Sequence, residues 1–79
     1  MKLAEAVGKR TKELLFQKNI TQYRLTKTTC LNEKTISDLI QGKTSDVKFS
    51  TVCLIAFALN MSIIEFLNSP LFDKNNIDL

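Results

Sequence analysis

Three times in this chain an apolar residue is followed by a polar cap and, five positions after itself, by a second apolar residue: Ile20, Thr21 and Leu25; Leu31, Asn32 and Ile36; Met61, Ser62 and Phe66. The spacing is that of a hydrophobic staple around a helix N-cap, where the capping oxygen takes an otherwise unpartnered amide and the apolar pair fixes the entry angle. Helices should therefore start near residues 22, 33 and 63, and Glu65, three residues after Ser62, completes a capping box at the last. Asn19, Gly42 and Asn60 stand where a helix must stop on a left-handed residue, which Gly adopts freely and Asn tolerates better than most. The expected elements are five helices, over roughly 2–18, 22–29, 33–41, 50–59 and 63–68.

Helical spacing then picks out the core. Leu3, Val7, Thr11 and Leu14 recur along the first helix and Val52, Ile55, Ala56 and Leu59 along the fourth, joined by Leu25, Leu31, Ile36, Leu39 and Phe66. With only two Gly and one Pro among 79 residues, and 24% charged residues, the chain reads as ordered and all-α. That length supplies one domain with one modest core, expected over residues 1–69 with a tail at 70–79, and no separate catalytic or sensory domain. The longest apolar run, Val52 to Leu59, is too short to span a bilayer, and the opening MKLAEAVGKR lacks the apolar stretch of an export signal, so a soluble cytoplasmic protein is expected. Cys30 and Cys53 both fall in helical patterns and should remain reduced thiols; with no His and no Cys-x-x-Cys, neither a metal set nor a cofactor is expected. Catalysis lacks its parts as well, because there is no His, no clustered carboxylates and no thiol outside an apolar stretch, and the chain reads as a non-enzyme.

Residues 21–43 carry the chemistry. They form two short helices joined by a tight turn, and the second has two faces: Ile36, Leu39 and Ile40 inward, Glu33, Lys34, Ser37, Asp38 and Gln41 outward. This is a helix-turn-helix pattern whose outward side chains can address base edges in a major groove. Lys34 can donate to guanine O6 and N7, Glu33 and Asp38 can accept from cytosine N4, and Ser37 can do either. The charge is uneven, with ten Lys or Arg against five Asp or Glu over residues 1–48 and one against three over 49–79. A basic half backed by an acidic one suits a polyanion-binding face.

Over residues 4–68 the chain resembles the lambda repressor/Cro-like DNA-binding domain of the XRE family. The resemblance rests on Thr21-Gln22, Leu25, Leu31-Asn32, Thr35-Ile36-Ser37, Leu39, Gln41-Gly42-Lys43, Ile55-Ala56, Ala58-Leu59-Asn60 and Ser62-x-x-Glu65-Phe66. It implies a five-helix fold with the helix-turn-helix at helices two and three, and double-stranded DNA as partner. It further implies that Glu33, Lys34 and Asp38, with Ser37 beside them, reach base edges, and that Thr21, Gln22, Thr35, Gln41 and Lys43 hold phosphates. Arg24, Lys27 and Lys48 are further cations for the same backbone. The implied function is a small transcriptional regulator, most simply a repressor occupying an operator, without a small-molecule ligand; the other reading on the same fold is a protein-interaction module such as an antitoxin or adaptor.

The chain departs from the family pattern in four ways. Cys30 stands where a Gly usually makes the turn between helices two and three, at a cost on the order of 1 kcal/mol for a left-handed residue with a Cβ. Leu15 and Ile40 replace an Arg and a Glu that often pair beneath the recognition helix, a joint exchange that is commonly neutral or stabilising. The recognition helix is not basic, since Glu33 and Asp38 outweigh Lys34. Finally, Leu54, Phe57 and Ile64 are apolar where relatives are usually charged, a surplus that the tail residues Leu71 and Phe72 could fold back to cover or that a second chain could meet. The expected arrangement is a symmetric homodimer with Leu54, Phe57, Ile64, Leu71 and Phe72 in its contact.

Overall fold

Each long helix ends on the left-handed residue that the sequence marks for it, and the same hydrogen-bonded device closes three of them. The computed structural model describes residues 1–78. In it α1 (Leu3–Lys18), α2 (Gln22–Thr29), α3 (Glu33–Ile40), α4 (Phe49–Ala58) and α5 (Ile63–Leu67) are followed by a 3₁₀ turn at Pro70–Phe72. The fold is all-α, and among the described residues its one extended contact is an isolated parallel bridge between Lys2 and Asp78.

After α1, Asn19 turns left-handed at φ 55°, its N–H donates to the Phe16 carbonyl, and the Ile20 N–H reaches back to the Leu15 carbonyl at 2.9 Å. After α3 the same pair runs from Gly42 to Leu39 and from Lys43 to Asp38, and after α4 from Asn60 to Phe57 and from Met61 to Ala56. These are Schellman closures, which satisfy carbonyls that the helix leaves without partners. Ile20 and Met61 therefore have two duties, since each completes the stop of one helix and is the apolar residue of the staple that starts the next. The connectors Asn19-Ile20-Thr21 and Asn60-Met61-Ser62 are one solution used twice. At α2 the stop is the single-bond variant, with the Cys30 N–H donating to the Thr26 carbonyl at 3.1 Å and Cys30 itself left-handed at φ 58°.

The helix starts follow the expected caps. Thr21 Oγ1 accepts from the Arg24 N–H at 3.1 Å, Asn32 Oδ1 from the Lys34 N–H at 2.7 Å, and Ser62 and Glu65 exchange both bonds of a capping box. α4 has no side-chain cap at Lys48.

The core gathers Ala4, Val7, Leu14, Leu15, Leu25, Ile36, Leu39, Val52, Ile55, Ala56, Leu59 and Phe66. α1 packs on α3, α2 on both α3 and α4, and α5 on α4. The α1–α3 approach is set by Gly8: a Cβ at that position would collide with the carbonyl oxygen of Leu39. Buried threonines add no unsatisfied polar atoms, because Thr11, Thr26 and Thr29 each donate to a carbonyl one helical turn back.

Two core assignments need correction. Leu3 is exposed although it shares a stripe with Val7 and Thr11, because it is the first residue of α1, at the end of the helix beyond the buried Ala4, Ala6 and Val7. Leu31, just before the Asn32 cap of α3, packs on the core but stays half-exposed, as does the inward-facing Ile40 at the last position of the helix. The tail does not hang free: the Phe72 ring tilts 41° against Phe66 with centroids 6.2 Å apart, and the 3₁₀ turn contacts α1. Beyond it, the Asp78 N–H donates to the Met1 carbonyl at 2.7 Å, and the Met1 ammonium bonds the Asn76 carbonyl at 2.8 Å and pairs with the Asp78 carboxylate. The tail thus packs on Phe66 and along α1 and leaves the apolar surplus, Leu54, Phe57 and Ile64, exposed.

Candidate nucleic-acid interface

Cap chemistry positions the first contacts. The hydroxyl oxygen of Thr21 is engaged by the Arg24 amide, while the opening amides of α2, like those of any helix start, have no intrahelical acceptor. Their partial positive charge suits a phosphate. Gln22, the first residue of α2, is exposed beside them.

α3 presents the polar stripe. Glu33 and Lys34 are exposed, but Ser37 and Asp38, outward on the helical pattern, are only half-exposed. The stripe is internally paired one turn apart: Lys34 Nζ stands 3.0 Å from Asp38 Oδ2, and Gln41 Nε2 donates to Ser37 Oγ at 2.8 Å. An exposed pair of this kind contributes about 0.3–0.5 kcal/mol, so a base edge offering better-placed partners can open it at little cost. Lys34 and Asp38 also bring a donor and an acceptor within a few ångströms of one another, the complement of a G·C pair in the major groove.

A cleft between α2 and α3 joins Gln22, Glu33 and Ser37, with Tyr23 and Thr26 completing its walls. Tyr23, which no sequence pattern singles out, is exposed, and the Lys27 ammonium lies 5.3 Å from its ring centroid. A second cleft, between α3 and the loop to α4, brings Thr35 and Lys48 together with Thr44 and Asp46. Lys43, held at the Schellman closure by its N–H bond to the Asp38 carbonyl, is exposed immediately after α3. Arg24 faces elsewhere, lining a cleft with Lys18 and Asn60. Leu15 and Ile40, the apolar substitutes for an ion pair, line one cleft next to Thr21 and Gln22.

The Glu65 carboxylate, away from this face, is displaced from its ordinary range. Glu65 is held below it, first by the Ser62 N–H that it accepts, then by the Ser62 hydroxyl and more weakly by the Lys18 cation.

Among the described residues no helix is long and apolar enough to cross a membrane. No curated protein matches the chain. A solved structure described as the prophage Lp1 protein 11 superposes on it with a TM-score of 0.80, covering 94% of this chain and 99% of that one at 25% identity. The family model for the Cro/C1-type helix-turn-helix DNA-binding domain matches residues 10–70, which take in all of α2 to α5, the polar stripe and both clefts. With the fold, the caps and this match in agreement, the chain belongs to the Cro/C1-type helix-turn-helix DNA-binding family.

Proposed function

We propose that this DNA-binding protein is a sequence-specific transcriptional repressor that occupies an operator through the major groove. The observation that carries the reading is the polar stripe of α3, Glu33, Lys34, Ser37 and Asp38, standing beside the capped start of α2. In this reading Lys34, Asp38 and Glu33 choose bases, with Ser37 supporting them, while Thr21, Gln22, Thr35, Gln41, Lys43 and Lys48 hold the two phosphate backbones. The protein acts in the cytoplasm as a homodimer. Leu54, Phe57 and Ile64 supply the contact, the self-anchored Leu71 and Phe72 border it, and the recognition helices stand about 34 Å apart to enter successive grooves.

A salt titration of duplex binding tests the reading. Affinity should fall with a log–log slope of about −0.9 for each phosphate neutralised, and Lys43→Ala should lower the slope by about that amount. A folded chain that binds no duplex at low salt would favour the second reading, an antitoxin or adaptor module. The observation behind that alternative is the same exposed Leu54, Phe57 and Ile64 face, which a different protein could cover.

A further inference from the structure

Phe16 is 87% exposed on the last turns of α1. It lies on the border of two adjoining clefts. One, of about 520 Å³, is walled by Leu15, Ile20 and Ile40 and reaches Thr21 and Gln22 at the start of α2; the other runs along α1 between Lys9, Lys12 and Gln17. Neither shares a residue with the Leu54, Phe57 and Ile64 face.

The charges around Phe16 decide what can cover it. Glu13 is already neutralised by Arg10 at 2.8 Å, and Lys9 has only a loose pairing with Glu5 at 3.8 Å. Lys12, which borders both clefts, makes no ion pair among the described residues. An apolar surface rimmed by lysines favours an acidic occupant that also carries an apolar side chain. A second copy of the chain would bring the same lysines against themselves, and the chain's own tail is committed to Phe66 and Met1. Duplex DNA would satisfy the cations, but its base faces are already stacked on one another and leave the exposed ring beside the aliphatic cleft without a partner.

We propose that the Phe16 surface docks an acidic segment of a different protein, which seats an aromatic or long aliphatic side chain against Phe16 and the Leu15–Ile40 cleft. Because that cleft ends at Thr21 and Gln22, the docked segment competes with DNA. The competition rests on the DNA-binding reading above; the docking itself does not.

The test is selection of binding peptides from a displayed library of random dodecamers, followed by affinity measurements on the resynthesised peptides. The enriched peptides should be rich in Asp and Glu around one aromatic or aliphatic residue. Their affinity should fall at least ten-fold for Phe16→Ser and for Lys12→Glu, stay unchanged for Phe57→Glu, and drop when a DNA duplex bound by the protein is added. Circular dichroism of Phe16→Ser should match the parent, since the ring is exposed. Failure to enrich any peptide, or enrichment of peptides that bind Phe16→Ser as well as the parent, would overturn the proposal. If the parent binds no duplex yet its peptides still require Phe16, the DNA-binding reading falls and the docking surface stands. If the peptides require Phe16 but DNA does not displace them, the competition is overturned.

Discussion

At Gly8 a single methyl group decides how closely α1 approaches the recognition helix. Its Cβ would meet the Leu39 carbonyl, part of a rigid helix rather than a side chain that can swing away, so Gly8→Ala must push α1 from α3. The helix propensity gained, about 1 kcal/mol, is smaller than the overpacking cost of about 1–3 kcal/mol, and thermal unfolding should show a lowered Tm. Cys30 offers the opposite case. It holds φ 58° with a Cβ, so Cys30→Gly should stabilise by up to about 1 kcal/mol, raising Tm by about 4–8 °C in a domain of this size. An unchanged or lowered Tm would show that the turn carries no strain. In the recognition stripe, Lys34→Ala and Asp38→Ala should each cost about 1–3 kcal/mol on the preferred duplex and relax choice at one base pair, whereas Lys48→Ala should weaken all duplexes alike. Competition binding with single-base variants distinguishes these; equal, sequence-blind losses would contradict the assigned roles.

Among the elements, α5 is the shortest helix and is held at both ends by groups outside its own ladder. Ser62 and Glu65 cap its start, and Arg10 donates from Nε to the Phe66 carbonyl at 2.8 Å and from Nη2 to the Glu65 carbonyl at 3.1 Å at its finish. Glu65 is depressed in the folded state, so its contribution is complete above its unfolded value and is lost as pH falls through the lower, folded one. Acid unfolding below the ordinary carboxylate range should therefore be shallower in Glu65→Gln than in the parent, and identical profiles would refute the capping role. The capping box was legible in the sequence because its partners lie three residues apart. Arg10 was not, because its acceptors are backbone carbonyls more than fifty residues away. The same distinction explains the rest. Helix starts and stops are local events, written in Thr21, Asn32, Ser62, Asn19, Gly42 and Asn60, and all five helices fall within a residue or so of expectation. Gly8, the exposure of Leu3 and Phe16, and the docking of the tail depend on which helix crosses which, and no short-range pattern encodes that. For the candidate site, periodicity marked the outward stripe of α3, but not that Ser37 and Asp38 are half-covered or that Tyr23 joins Gln22 and Glu33 in one cleft.

For the whole molecule, the unresolved economy lies on α4 and α5, where Phe57 is 61% and Ile64 78% exposed although the tail has folded back. If this face pairs two chains, Phe57→Glu should keep its helix content and sediment as a monomer, with much weaker operator binding, because linked readers gain effective concentration that a single one lacks. A parent that is itself monomeric at tens of micromolar would contradict self-pairing. The central claim is that α3 reads sequence, and selection of bound molecules from a pool of random duplexes tests it most directly. The bound pool should converge on an inverted repeat whose half-sites lie about one helical turn apart, with a G·C pair in each where Lys34 and Asp38 offer a donor and an acceptor. A pool that stays indistinguishable from the input at low salt, with the protein folded, would contradict it.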